Sequence, residues 1–244
     1  MTAFETVPAS DPGSHLLFLC DHAAAALPEA HGLLGLDPAL FQTHIAYDIG
    51  AAQVTRALSR HFGAGALLGR WSRLLIDLNR GPDDPTLVMK LSDGSVIPGN
   101  RDADSAEVAR RIRDYYDPYH AAITAELDRI GPKAVIISIH SFTPSWKGQA
   151  RPWEVGVLWD TDKRLAKPLM ARLSQHAFLY GDNEPYSGAL ENDCLNRHGT
   201  KRGLPHVLVE IRQDLIATEA MAANFASRIY HTLAAALGDM ERTR

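Results

Sequence analysis

Short apolar runs separated by helical stretches govern what this chain can fold into. The clearest is Lys133–Ile139 (KAVIISI), where Val135, Ile136, Ile137 and Ile139 are β-branched or otherwise strand-favouring apolar residues. Such a run suits a strand buried on both faces. His15–Cys20 (HLLFLC), Ala66–Gly69, Arg73–Leu78 (RLLIDL), Glu154–Trp159 (EVGVLW) and His206–Ile211 (HVLVEI) read as further strands. Asp37-Pro38 opens a helical stretch that runs to about Phe62, with a break near Ala46–Asp48 and Gly63 as its stop. Asp104 or Ser105 caps a second helix to about Ile130, kinked at Pro118, and Asp162–Ala177 and Asp214–Leu237 supply two more. Asn79–Arg101 is polar and rich in Gly and Pro, with a small hairpin around Ser92-Asp93-Gly94. Strands alternating with helices predict an α/β fold, a three-layer αβα sandwich around a mostly parallel mixed sheet.

A length of 244 residues suits one such domain over 1–244, with residues 1–14 as an N-terminal arm. The arm lacks the apolar run of a signal peptide. The longest apolar runs fall short of the roughly 20 residues that cross a bilayer. A net charge of −4 makes nucleic acid a poor partner. Two cysteines cannot form a disulfide framework, so a reducing, cytoplasmic compartment is expected. The sequence leaves the oligomeric state open.

In open α/β sheets, ligands bind outside the carboxyl ends of the strands. His22 follows HLLFLC, Asn79 and Arg80 follow RLLIDL, His140 follows KAVIISI, and Glu210 sits near the end of HVLVEI with Arg212 beyond it. Four strands thus deliver chemistry-bearing side chains to one edge. Of eleven histidines, His22 and His140 hold such positions. Two imidazoles and a carboxylate from scattered positions make a catalytic zinc arrangement, one ion per chain. The carboxylate is Asp48, Glu29 or Asp21. Asp21 adjoins His22, and successive residues of an extended chain point apart. Glu29 lies beyond Pro28, whereas Asp48 shares a helix face with His44, four residues earlier. Asp48 is therefore favoured, with His44 and Glu29 as alternative ligands.

A carboxylate inside an apolar strand costs several kcal/mol unless it is paired or ligated. Glu210 fits a general base for a water activated by the metal. Arg80 or Arg212 offers the cation that would stabilise developing charge or clamp a substrate carboxylate. Arg73 opens the strand that Arg80 closes, and at that far end it reads as structural. The polar loop Asp182–Arg202 is long enough for a lid, and its His198 and Arg202 are further candidate substrate contacts. His120 reads as structural and Cys20 as a small buried hydrophobe. No G-x-S-x-G, G-x-x-x-x-G-K or G-x-G-x-x-G motif occurs, which argues against serine hydrolase, P-loop and Rossmann chemistry.

Five segments, CDHAAAALP (20–28), HIAYDIGA (44–51), SRLLIDLNR (72–80), SIHSFTP (138–144) and VEIRQDL (209–215), resemble the N-formylglutamate amidohydrolase family. The resemblance spans about residues 15–235 and implies a phosphorylase/hydrolase-like fold similar to zinc exopeptidases and aspartoacylase-type deacylases. It implies that Asn79 and Arg80 bind a substrate carboxylate and that Glu210 is the base. The implied reaction is zinc-dependent hydrolysis of a small acidic N-acyl amino acid, in the type case N-formyl-L-glutamate to formate and glutamate. The aspartoacylase and carboxypeptidase relatives carry a His-x-x-Glu ligand pair, but here Ala25 stands three residues after His22, so the second ligand comes from elsewhere. A zinc peptidase or cell-wall amidase with the same centre, and a non-catalytic metal- or metabolite-binding module, are the competing expectations.

Overall fold

Seven strands form one mixed sheet in the computed structural model, which describes residues 2–242. The chain begins with β1 (Phe4–Val7), β2 (Leu16–Cys20), α1 (Ala51–His61), β3 (Gly65–Gly69) and a hairpin of β4 (Leu91–Ser92) and β5 (Ser95–Val96). Then come α2 (Pro98–Arg101), α3 (Ser105–Arg111), α4 (Asp117–Ile130), β6 (Val135–Phe142) and a hairpin of β7 (Ser145–Trp146) and β8 (Gln149–Ala150). The last elements are β9 (Val155–Leu158), α5 (Ala166–Gln175), β10 (Tyr180–Asp182), α6 (Cys194–His198), β11 (His206–Arg212) and α7 (Glu219–Arg242). The sheet order is β1-β3-β2-β6-β11-β9-β10. All neighbours are parallel except β1 with β3 and β9 with β11.

The continuous apolar runs become the central strands because helices cover both faces. Phe18, Ile137 and Val209 pack into one core with residues of α1, α5 and α7. Leu17, Leu19, Ile136 and Leu208 pack into a second core with Tyr119, Ile123 and Leu127 of α4. Full burial of each such side chain stabilises the fold by about 1.5–3 kcal/mol. The expected three layers result. No helix among the described residues is long and apolar enough to cross a membrane.

Several local expectations need correction. RLLIDL is buried but is no strand: Leu75 N bonds Ser72 O and Asp77 N bonds Leu87 O, so the segment ties into loops and not to a neighbouring strand. Leu74 enters a small third core with Leu34, Phe41 and Ile97. The helix expected from Asp37 is a 3-10 turn at Pro38–Gln42 followed by turns, and α1 starts only at Ala51. Gly50 enforces that delay. Its φ is +80°, and a Cβ there would lie 2.2 Å from Ile216 O. His44 and Asp48 therefore share no helix face. Before Pro118 the long helix opens into a π turn at Ile112–Tyr116, which absorbs the missing proline N–H. Within the N-terminal arm, Phe4–Val7 pairs with β3 as an edge strand. β6 runs on to Phe142, so His140 and Ser141 lie inside it, in place of just after it.

Candidate metal centre

The carboxyl ends of β2 and β6 and the adjacent β11 supply the site. β6 pairs with both neighbours, and His140 stands opposite Glu210 in register. Period-two alternation puts Ile136, Ser138, His140 and Leu208, Glu210 on the face that α4 covers. Gly156 flanks Glu210 on the other side, where a Cβ would meet Glu184 O at 2.2 Å and Glu210 Cβ at 3.2 Å. Asp48 reaches the site from the turn before α1, its N–H bonded to His22 O at 2.9 Å.

Donor atoms of His22, Asp48 and His140, all buried, lie within 4.8 Å of one another. Asp48 Oδ2 is 3.4 Å from His22 Nδ1 and 2.8 Å from His140 Nδ1. The outward nitrogens are held by other carboxylates. His22 Nε2 donates to Asp77 Oδ1 at 2.7 Å, and His140 Nε2 lies 3.3 Å from Asp21 Oδ2 and 3.1 Å from Ser138 Oγ. Two carboxylate–histidine pairs thus aim their Nδ1 atoms at one point, the arrangement that orients histidines on a metal. The donor set fits a cation on a further ground. His22 Nδ1 and Glu210 Oε2 are buried with no hydrogen-bond partner among the described residues, and such orphaned groups are costly unless a ligand or ion satisfies them.

The electrostatics agree. Burial opposes charge on His140, yet its bonds to Asp21 and Asp48 hold its pKa well above the ordinary histidine value. Burial alone would raise Asp77, but Arg73 and His22 pull it well below the usual carboxylate range. Glu210 behaves oppositely: burial pushes it up to about 7. Arg73 bridges Asp48 Oδ1 at 3.4 Å and Asp77 Oδ2 at 2.8 Å.

These groups line a cleft of about 390 Å³ together with Asn79 and Arg80. Arg80 donates to Asn79 O at 2.8 Å and Thr86 Oγ1 at 3.2 Å. The 182–202 loop contributes Tyr186, Asp193 and Asn196 to the wall, and contains β10's end and α6. Other candidates lie elsewhere. Glu29 is exposed on a 3-10 turn and does not line the cleft. His44 sits at the rim, 3.4 Å from Asp93 Oδ2 and edge-on to Trp146, outside the three-donor cluster. Arg212 is engaged by Asp214 and Pro152 O, and Arg202 by Asp128. His198 is buried against His120 and does not reach the cleft. Sequence reasoning missed Asp77 and Arg73. Their signal was present in the charged residues of RLLIDL, but a strand would have set the two roughly 13 Å apart along one face, with Arg73 at the end far from the site.

Comparison with known proteins places this geometry. The family model for N-formylglutamate amidohydrolase matches residues 14–217. No curated protein matches the chain. Among solved structures, a gene product of Agrobacterium tumefaciens is 35% identical, with a TM-score of 0.91 over 99% of this chain and 97% of that one. An N-formylglutamate amidohydrolase from Ralstonia eutropha is 19% identical, with a TM-score of 0.75 and full coverage of both chains. A metallo-carboxypeptidase from Pseudomonas aeruginosa shares the fold at 12% identity, with a TM-score of 0.50 over 97% of this chain and 61% of that one. By the family match over most of its length, the chain belongs to the N-formylglutamate amidohydrolase family, hydrolases that act on carbon–nitrogen bonds.

Proposed function

We propose that the protein hydrolyses the amide bond of a small N-acyl amino acid bearing a carboxylate, of the N-formyl-L-glutamate kind. One zinc ion would be held by His22, Asp48 and His140. The reading is carried by the meeting, in one cleft, of this donor set, an unpartnered Glu210 and the Asn79–Arg80 pair. Bound there, zinc would polarise the scissile carbonyl and lower the pKa of a water molecule to about 7.

The chain's own residues do the remainder. Glu210, whose pKa burial raises, accepts the proton of the attacking water and returns it to the leaving nitrogen as the C–N bond breaks. Arg73, fixed between two carboxylates on the cleft wall, faces charge that develops on the carbonyl oxygen. Asn79 and Arg80 meet the substrate carboxylate, to which a guanidinium can bond bidentately. The products are a carboxylic acid, formate for a formyl substrate, and the free amino acid.

The test combines metal analysis of the purified protein with amine release from N-formyl, N-acetyl and N-succinyl amino acids. Glu210→Gln should retain zinc and lose turnover by about 10²–10⁴-fold. Undiminished hydrolysis by that variant would sink the mechanism.

A further inference from the structure

Behind the cleft wall, the helical layer holds the irregular backbone that carries Asn79 and Arg80. Tyr116, in the π turn before α4, donates its hydroxyl to Arg80 O at 2.9 Å. His120 Nε2 lies 3.1 Å from Leu78 O. A carbonyl oxygen only accepts, so this nitrogen carries the proton. His120 Nδ1 is then the acceptor, and it receives His198 Nε2–H at 2.8 Å. From α6, Cys194 N–H donates to Asn79 Oδ1 at 3.1 Å. Asn79 therefore has its amide NH₂ left to offer the cleft.

Three consecutive residues, 78 to 80, are thus each held by a different group. Such anchoring is needed here, because this segment is buried without a strand partner for its carbonyls. Tyr116, His120, Cys194 and His198 do not themselves line the cleft. Burial and then Arg197 lower His120 to about 4, while burial, His120 and Arg197 lower His198 to about 3. Both rings stay neutral at ordinary pH, and the proton order along the chain is preserved.

We propose that Tyr116 and the His120–His198 pair are positioning residues for substrate recognition, holding Leu78–Arg80 so that Asn79 and Arg80 present their donors together to a substrate carboxylate. The inference rests on the carboxylate role given to Asn79 and Arg80 above. It also assigns a purpose to two histidines that otherwise resemble a metal site. Donor atoms of His120, Cys194 and His198 lie within 4.8 Å of one another, but His120 Nδ1, the nitrogen a cation would take, is occupied by His198.

The test uses the full-length, zinc-loaded protein and the variants His120→Leu, His120→Gln and Tyr116→Phe. Leu keeps bulk without a donor, and Gln carries an amide N–H to about the place of Nε2. Kinetics are read on an N-acyl amino acid whose single carboxylate is the α-carboxylate, and on its α-amide analogue, which carries none. His120→Leu should raise KM for the acid about tenfold, the scale of one well-aligned hydrogen bond to a charged group. It should leave kcat and the KM of the α-amide nearly unchanged, and His120→Gln should restore most of the loss. Hydrogen exchange of the peptide spanning residues 74–84, measured without substrate, should quicken in His120→Leu and in Tyr116→Phe but not in His120→Gln. Tyr116→Phe, which removes one hydroxyl, carries the same test if His120→Leu does not fold. Unchanged exchange in 74–84 overturns the inference. So does a second zinc equivalent bound by the wild type and lost in His120→Leu, which would make the trio a metal site. Faster exchange with equal KM changes for acid and amide leaves the hold on 78–80 standing and overturns the carboxylate role beneath it.

Discussion

Asp77→Asn asks whether the candidate centre is held from behind. In a position with no solvent exposure, Asp77 Oδ1 accepts His22 Nε2–H at 2.7 Å and Asn79 N–H at 2.9 Å, while Oδ2 accepts Arg73 Nη2 at 2.8 Å. Asparagine keeps the shape and one acceptor. If its oxygen stays with His22 and Asn79, its NH₂ confronts the guanidinium of Arg73, donor against donor. Arg73 then retains only Asp48 at 3.4 Å. Removing one partner of a buried pair costs about 3–5 kcal/mol, and in a chain of this size each kcal/mol lowers Tm by about 2–4 °C. Zinc affinity should fall about 10–100-fold, the usual effect of losing a carboxylate behind a ligating histidine. Chelator competition and thermal unfolding measure the two effects. The pH dependence adds a third readout. Because the folded pKa of Asp77 lies below its unfolded value, its contribution is complete above about pH 4 and lost only as pH falls through the depressed folded value. Asp77→Asn should accordingly weaken the acid dependence of stability. A variant that binds zinc as the wild type does, with unchanged Tm, refutes the reasoning.

His140→Ala should lose the metal outright, which metal analysis of the purified variant checks. Glu210 must be ionised to act as a base, so kcat/KM should fall as pH drops through its pKa, which burial raises to about 7 and a bound cation would lower. A wild-type kcat/KM that stays flat from about pH 8 down to about pH 4 would contradict the assignment. Arg80→Gln should raise KM for the acid substrate about 10–100-fold and spare its α-amide, the difference expected for a charged hydrogen-bond donor. Gly50→Ala forces a side chain into the left-handed region against Ile216 O, so it should cost at least about 1–3 kcal/mol in thermal unfolding and also loosen Asp48, two residues away.

The parts of the site that follow from strand ends were legible in the sequence. His22, His140 and Glu210 sit where apolar runs meet polar residues, and parallel pairing of β2, β6 and β11 brings those places together. Asp48 was reached by the wrong route: a helix face was invoked, whereas a turn fixed by Gly50 delivers it. Asp77 and Arg73 were hidden because apolar spacing reports burial and does not distinguish a strand from a buried irregular segment. The contact that gives Asp77 its role joins it to His22, 55 residues away, and no local pattern encodes that. His198 was taken for a cleft residue because its loop is polar. A short helix, α6, instead turns it inward onto His120, with Asp193 accepting Asn196 N–H at the helix start.

The central strand β6 carries a consequence for how the molecule comes into being. Its neighbours are β2, where Leu16 meets Val135, and β11, where His206 meets Ile136. Both pairings close long loops, whose entropy must be overcome before the contacts stabilise anything. During synthesis β2 can pair early with β3 but waits through more than a hundred residues for β6, and β6 waits again for β11. His22, Asp48, His140 and Glu210 cannot meet until this last central strand has left the ribosome. The three candidate ion donors can meet once β6 pairs with β2, but Glu210 joins them only with β11, so completion of the cleft is a late event of biogenesis. Until then the nascent chain presents unpaired apolar strands, the state in which larger proteins depend most on chaperones.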